Sequence, residues 1–590
     1  MKILFTFFAL LTLSSTTSFA QQAAATMELN NIKCSVTSTG DLFYTPGSDY
    51  GTFEAPNGSG LKTMYAGNLW FGGISSDQQL KLAAETYQAT GQDWFTGPLT
   101  TDGTASTTDE IEDAYNQVWQ VTLEDVSLHI AYFEALSNGT VEVVFPDGYS
   151  IPDVFFTWPA HGDLNAEMDF SLAPFFDYNV NGFYDPENGD YPIFCGSECI
   201  YFIFNDKANV HSESGGQPIG LEIHGMLYGF ESSDNTMLQN TVFLKYKIIN
   251  RGTQTLENTF AGMWTDLDIG TAIDDYVGTN VKRSALFGYN GDSIDEQSSS
   301  SNGYGEDLPM QGVMILGGPF ADSDNTDNPL PDDLYSSETQ SYGSMGYGYG
   351  DGIIDNERLG LSTSLYYQNS SHLIYGEPNT AIHYHNFMRS IWKNGQNQTY
   401  QGDLIDASAY SFPGSSDPLN LSTGVVQEEI WDELTSENLP GDRRVLGSCG
   451  PFTLEPGDIH YLDVAYVFAQ ESQAGGEPLA DFFDNRLKEA RLFFNDNLID
   501  CQEQGSSVGI IEESNASNQF TVYPNPAQAA ITIDIKTKTT IAIAFITDLS
   551  GKIIKTFNLN RGINTISIEE LSAGIYFLHA EASCVKLIKG

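Results

Sequence analysis

Basic side chains are scarce in this chain. Its 590 residues carry 25 Lys+Arg against 78 Asp+Glu, a formal net charge of -53 at pH 7. A phosphate backbone needs a basic face to displace its counterions, so no nucleic acid partner is expected. Anionic membrane surfaces are disfavoured for the same reason. Long apolar runs are also lacking: beyond the first twenty residues, no uncharged apolar stretch is long enough to span a bilayer. Compact catalytic motifs are missing too. There is no His-Glu-x-x-His, no Gly-x-Ser-x-Gly, and no phosphate-cradling Gly-rich loop leading into a helix.

Cysteines are few, six in all. Cys195-Gly-Ser-Glu-Cys199 is spaced to close a short loop as a disulfide; a zinc site would need a second Cys/His pair at ligand spacing, and none is near. Cys34, Cys449, Cys501 and Cys584 have no pairing that spacing decides.

What is plentiful is aromatic and turn-forming: 30 Tyr, 36 Phe and 56 Gly, with 41% hydrophobic residues. This composition predicts a mainly β fold, a multi-domain β-sandwich-like protein with a few short helices. Val242, Leu244, Tyr246 and Ile248 alternate with Lys245 and Lys247, the pattern of a half-buried strand. Leu462, Val464, Tyr466 and Phe468 repeat it after the turn Pro456-Gly457-Asp458. Two helices are expected. One starts at a capping-box pair, Thr122 and Asp125, with Val126, Ile130 and Phe133 on one face. The other opens at Pro478 and carries Leu479, Phe483, Leu487, Ala490 and Phe494 as an apolar stripe.

At the N-terminus Lys2 precedes the apolar run Ile3–Leu13, and Ser18-Phe19-Ala20 supplies small residues before a cut. Residues 1–20 therefore read as a secretory signal peptide. The charge then steps sharply near the other end. Residues 515–590 hold seven Lys+Arg and five Asp+Glu, while everything before them is strongly acidic. The expected division is 1–20 signal peptide, 21–160 a β-rich region with one helix, 161–500 an acidic β-sandwich-like region, 501–517 a linker, and 518–590 a small C-terminal β-sandwich.

The last segment carries Tyr523-Pro524-Asn525-Pro526-Ala527, Asp548-Leu-Ser-Gly551, Leu571-Ser-Ala-Gly574-Ile-Tyr576 and the basic end Lys586-Leu-Ile-Lys589-Gly590. These motifs, in this order and at the terminus, resemble the C-terminal sorting domain of the type IX secretion system. The resemblance implies an Ig-like sandwich, export by the type IX machinery from a Bacteroidetes-type bacterium, and a location outside the cell or on its outer surface, reached through the periplasm. It also implies removal of the tail, with release of the cargo or its attachment to surface lipopolysaccharide. More loosely, Tyr65–Gly73, Leu82–Tyr87, Gly97-Pro98, Pro440–Arg444 and Gly450–Leu454 resemble large exported Bacteroidetes proteins with no assigned activity.

The strongest chemical motif is DYNVNGFYDPENGDYP, Asp177–Pro192. Asp177, Asn179 and Asn181 set oxygen ligands at positions 1, 3 and 5, Gly182 permits the turn at 6, and Asp185 stands at 9. Asn188 replaces the usual Glu at 12, with Glu187 and Asp190 beside it, and Pro186 blocks a following helix. A helix-free structural Ca2+ loop is the expectation. Asp266 and Asp268, followed by Asp274 and Asp275, form a second acidic cluster whose alternation lets the first two share a cation. Asp351, Asp355 and Glu357 form a third. His383 and His385 would face one way from a strand, a possible metal pair. Ser212–Pro218 faintly matches the nucleophile segment of trypsin-like proteases, but it lacks the first glycine, has an extra Gln217, and no matching histidine segment precedes it.

No catalytic pair can be singled out, because acids are abundant enough to meet by chance in any pocket. The reading favoured by these residues is a non-enzymatic, calcium-stabilised protein of adhesion, surface architecture or ligand binding, with a glycan among the possible ligands. The alternative is a secreted hydrolase of polysaccharides or peptides.

Overall fold

The computed structural model describes residues 22–499 apart from 49, 90, 299–301 and 403–405, then Cys501 and the strands and short links of 520–589. Within the tail the described residues are 520–523, 527–535, 541–547, 553–560, 562–569, 571, 574–580 and 583–589. The chain divides into two compact units, Met1–Val508 and Gly509–Gly590.

The larger unit is built on two antiparallel sheets. One runs Asp275–Asn280, Ala285–Asn290, Pro309–Gly317, Ile459–Gln470, Thr241–Asn250, Leu221–Gly229, Glu198–Asn205, with Phe95–Thr96 and Trp119–Thr122 both pairing to the last. The other runs Thr363–Gln368, Arg443–Leu454, Leu256–Leu267, Ala66–Ser75, Leu80–Ala83. Both sheets draw strands from either side of residue 160.

Alternation decides what lies between them. Leu244, Tyr246 and Ile248 from the first sheet, with Val464, Tyr466 and Phe468 beside them, meet Leu69, Phe71, Met263 and Val445 from the second in one core. Gly457 turns the chain from the Arg443–Leu454 strand of one sheet into the Ile459–Gln470 strand of the other, with φ +87°.

The outer faces are covered as well. The Leu479–Asn497 helix lays Phe483, Leu487, Ala490 and Phe494 on the larger sheet, against residues such as Met314, Ala465 and Val467. Each large member of that stripe contributes about 1.5–3 kcal/mol over leaving it exposed. The Ala381–Phe387 helix covers the smaller sheet, where Tyr384 and Phe387 join Trp70, Trp264 and Tyr367.

The larger sheet is also covered around Lys245 and Lys247, by residues such as Ala160, Leu172, Pro174 and Ile193, and this corrects the half-buried reading of the Thr241–Asn250 strand. Its Lys245 is 5% exposed and faces Asp463 at 4.0 Å, with Tyr461 beneath its ammonium. A register shift between Ile315 and Gly317 frees carbonyls that buried arginines then satisfy: Arg491 donates to Ile315 and Leu316, and Arg358 to Gly317 and Gly318.

The Leu123–Asn138 helix begins as its capping pair predicts. Thr122 accepts from the Asp125 amide at 3.1 Å, and the Asp125 carboxylate takes the Thr122 amide in return.

The cysteine expectation is overturned. Cys195 is bonded to Cys501, 306 residues away, and Cys199 is a buried free thiol. Strand geometry explains it: Cys199 lies inside the Glu198–Asn205 strand with its side chain in the core beside Tyr201 and Ile203, so it cannot turn back to Cys195.

The smaller unit is a sandwich of three and four strands. Phe520–Tyr523, Ala530–Ile535 and Gly562–Ser567 form one sheet; Ile553–Asn560, Ile541–Thr547, Gly574–Ala580 and Ser583–Lys589 form the other. Ile531, Ile533, Ile546, Leu559, Leu578 and Leu587 make its core.

Candidate metal loop and a buried charge cluster

The Asp177 loop stands on a two-stranded base. Phe175–Phe176 pairs with Tyr191–Pro192, and the Phe176 and Tyr191 rings stack at 4.8 Å. Asp190 sits fully buried at the end of the loop. One of its oxygens accepts the Tyr178 amide and the other the Asp185 amide, both at 2.8 Å, so this carboxylate ties the start of the loop to its middle. Asp177 accepts the amides of Asn181 (3.1 Å) and Gly182 (2.7 Å). Val180 and Gly182 take φ of +57° and +83° to make that turn.

The side chains of Asn179 and Asn181 both reach the Asp185 carboxylate, at 3.2 and 3.0 Å. Amide N and O are interchangeable by a half-turn, so the same placement can direct two carbonyl oxygens and a carboxylate at one point. From outside, His161 holds the loop: its Nε2 accepts the Tyr184 amide at 2.9 Å, and its Nδ1 donates to the Phe170 carbonyl at 3.0 Å. Burial pushes the Asp190 carboxyl above the usual range, and the charges of Asp185 and Asp177 push it further, against the two amides that favour its ionised form. A divalent cation would relieve that repulsion. The donor set is hard oxygen throughout, which suits calcium.

Asp266 and Asp268 are brought together with a residue that spacing does not reveal. Asp266 lies opposite Arg444 in the pairing of the Leu256–Leu267 and Arg443–Leu454 strands. Ligand atoms of Asp266, Asp268 and Asp442 fall within 4.8 Å of one another. Arg444 is already among them. It pairs with Asp266 at 3.0 Å, with Asp442, and with Glu377 at 3.3 Å, and it donates to the Tyr87 hydroxyl, which donates in turn to Asp266 at 2.7 Å. The guanidinium is thus the cation that this cluster holds. Burial raises the carboxyls of Asp266 and Asp268; the Asp266 charge adds to the rise at Asp268, and Arg444 opposes it at both. Asp275 lies next to this group: its carboxylate accepts the Ile269 amide at 2.8 Å, and after burial the Asp268 charge is among those that push it up, while Asp274 is pushed up by burial and by Asp295.

The other expected groupings are dispersed. Asp355 accepts the amides of Asp324 and Asn325 and Glu357 that of Asn328, so both tie down the 324–328 segment, while Asp351 accepts the Ile353 amide within its own turn. His383 and His385 lie on a helix, Ala381–Phe387, and not on a strand. At that spacing a helix turns them to opposite sides, which removes the paired-imidazole reading. Burial and the Arg389 charge push the His385 ring down to about 4.

Sequence reasoning missed a buried relay in the larger sheet. Tyr201 meets His224 at 3.0 Å, His224 meets Glu222 at 2.9 Å, and Arg251 bridges Glu222 and Asp169, each at 2.9 Å. Burial alone would raise Glu222, but His224 and Arg251 hold it down at about 2. The alternation of Glu222 and His224 along one strand is the only local signal of it.

In the smaller unit the final two strands pair Gly574 with Lys589, Tyr576 with Leu587 and Phe577 with Lys586. Residues 521–589 match the family model described as the secretion system C-terminal sorting domain. The tail is a type IX secretion sorting domain. The protein is therefore exported, to the extracellular space or the cell surface, and the sorting domain is its point of interaction with the secretion machinery. Gly574, Tyr576, Lys586 and Lys589 thus lie together on the closing hairpin of the sorting domain; Pro524, Asn525 and Pro526 lie outside the described residues.

A probable RNA-dependent RNA polymerase 5 of Arabidopsis thaliana is 31% identical over 141 residues, 23% of this chain and 14% of that protein. A match to so small a share of that protein carries no activity over to this chain.

Proposed function

We propose that the exported chain is a calcium-stabilised, non-enzymatic β protein that binds a ligand at the cell surface or outside the cell. On this reading the tail is removed after export from a Bacteroidetes-type bacterium, and the cargo is released or attached to lipopolysaccharide. The observation that supports the calcium part is the convergence of Asn179 and Asn181 on Asp185, in a loop that also gathers Asp177 and a buried Asp190. Such a site would fix loop geometry and stability; it needs no substrate.

Thermal melting of the full chain in calcium and then in EDTA tests it. At a calcium concentration of 100 times Kd the folded state gains about 2.7 kcal/mol. Asp185→Ala should abolish the calcium-dependent part of the melting shift. An unchanged melt in EDTA would sink the calcium reading.

A secreted hydrolase is the second reading. The raised carboxyl of Asp268 beside Asp266 supports it, since glycosidases work with one protonated and one ionised carboxyl. Arg444 and Tyr87 occupy Asp266, which favours a structural role for that pair. Release of reducing sugar from mixed polysaccharides by the purified protein would reverse the order of the two readings.

A further inference from the structure

A groove of about 910 Å³ opens beside the edge strand Thr363–Gln368 of the smaller sheet. No residue of the calcium loop or of the Arg444 cluster lines it. Its wall is a continuous run of aromatic rings. Tyr375 meets Trp392 at 4.8 Å, Trp392 meets Tyr366 at 6.0 Å, Tyr366 meets Phe412 at 4.6 Å, and Phe412 meets Trp431 at 5.1 Å. The run grades from exposed to buried. Tyr375 is 41% exposed, Trp392 and Tyr366 are half-buried, and Phe412 and Trp431 are buried. Rings anchored on one side present an apolar face at a wet surface without a packed apolar pocket around it.

The opposite lining is uncharged and polar for the most part. Gln396, Asn397, Gln401 and Thr435 line it and are exposed, and Glu429 and Glu437 are its acids. No Lys, Arg or His is among the lining residues. That composition repels phosphate, sulfate and carboxylate ligands, and it places exposed planar amides at the surface: Gln401 makes long bonds of 3.4 and 3.5 Å to Glu429 and Ile430 that a ligand can replace, and the Gln396 amide nitrogen faces outward from its bond to Asn394 through the oxygen.

The groove is also built rigidly. Tyr400 packs on Trp431 and donates to the Glu429 carbonyl at 2.9 Å. Buried Gln398 donates to the Ser364 and Ser408 carbonyls, each at 3.3 Å, and accepts from Ser411, fixing the floor to the edge strand. Three lining residues, Gln401, Phe412 and Glu437, hold left-handed φ of +53°, +48° and +53°. Non-glycine residues in that conformation persist where the surroundings impose it, and they gather at binding sites.

We infer that this groove binds a neutral oligosaccharide. The inference rests on the ligand-binding reading above and names its ligand class. Sugar rings offer exactly the two surfaces that match: axial C–H faces for a wall of aromatic rings, and adjacent hydroxyls for amides. Tyr375, Trp392 and Tyr366 are the rings of the run that reach solvent, so they are the ones that would meet sugar faces, and Phe412 and Trp431 back them from inside.

The test uses the full chain and a panel of uncharged gluco-, xylo-, manno- and galacto-oligosaccharides. Binding is read by calorimetry and by tryptophan emission, since Trp392 and Trp431 both line the groove. At least one series should bind saturably, and Trp392→Ala should weaken it about tenfold. Tyr375→Ala, on a more exposed ring, should weaken it several-fold with an unchanged melting temperature. It therefore serves where loss of Trp392 disturbs folding.

Saturable binding that neither variant changes would overturn the groove assignment and leave the ligand-binding reading standing. No binding across the panel, with calcium-dependent adhesion to surfaces intact, would overturn the sugar assignment alone. Cleavage of the bound oligosaccharide would overturn the non-enzymatic reading on which both depend.

Discussion

Replacing both Cys195 and Cys501 with alanine removes the bond that ties the end of the Leu479–Asn497 helix to the start of the Glu198–Asn205 strand. The double change leaves no half-partner to scramble onto Cys199. The closed loop spans a sequence separation of 306 residues. Loop-closure entropy alone assigns such a bridge about 5–6 kcal/mol, and measured bridges return about 2–4. A unit of this size unfolds with an entropy of roughly 1 kcal/mol/K, so a loss of about 3 kcal/mol lowers the melting temperature by about 3 °C. The helix end should respond first, because Phe494 and Leu498 pack near the bond in the same core. Amide hydrogen exchange should accelerate over that last turn before the sheet strands respond. Peptide mapping without reduction should recover a Cys195–Cys501 peptide. A Cys195–Cys199 peptide, or an unchanged melt together with unchanged exchange in the double variant, would refute the reasoning.

Four further outcomes are expected. The thiols of Cys34, Cys199 and Cys449 are buried and raised by that burial, Cys449 to about 12, so native protein should resist iodoacetamide at all three until denatured. Arg444→Ala leaves Asp266 buried without its cation and should cost about 3–5 kcal/mol in a urea titration; Arg444→Lys should recover only part. Burial lifts Glu213 and Glu377 to about 7, although Thr86 and Arg444 respectively oppose it. The folded state then holds protons that the unfolded chain has released, so stability is fullest below about pH 4.5 for these groups and is lost as pH rises through about 7. The melting temperature should fall between pH 5.5 and 8.5, less steeply in Glu213→Gln. Deleting Ser583–Lys589 removes the partner strand of Gly574–Ala580, and the chain should accumulate in the periplasm on cell fractionation.

What the sequence made legible was local. The capping pair Thr122 and Asp125 and the stripe Phe483, Leu487, Ala490 and Phe494 each encode their element within a few residues. The sorting domain is legible for the same reason: its motifs are short and lie in order along the chain. The turn that Asp177 and Gly182 make is local too: the Asp177 carboxylate takes the amides of Asn181 and Gly182.

The failures share the opposite property. Lys245 and Lys247 mark a polar face only if nothing covers it, and the cover comes from well upstream, from residues such as Leu172, Pro174 and Ile193. Cys195 had a partner four residues away in sequence, but strand geometry turned that thiol inward and left the bond to Cys501. His383 and His385 alternate as a strand would, yet Thr380 and Ala381 begin a helix there because its Tyr384 and Phe387 are needed to cover Trp70, Trp264 and Tyr367. The aromatic run of the groove comes from positions spread between Tyr366 and Trp431, with no period to announce it.

Charge behaves the same way. With so few cations, only some of the buried acids have a basic partner. Arg283 pairs with Asp484 at 3.0 Å, Arg358 with Asp463 at 2.7 Å, Arg443 with Glu433 at 3.2 Å and Arg444 with Asp266 at 3.0 Å, and all four arginines are buried. Part of the scarce positive charge therefore lies inside, against particular carboxylates. Other buried carboxylates have no arginine or lysine and are held by backbone amides, as Asp206 is by those of Ile219, Gly220 and Leu221; exposed acids are screened by water and mobile counterions. Acid abundance by itself then says little about bound metal. Asp266, which already has its arginine, is a poor place to seek an ion despite its two acidic neighbours. Asp190 is the better one, because it is buried, its neighbouring charges are all negative, and no arginine or lysine is bonded to it.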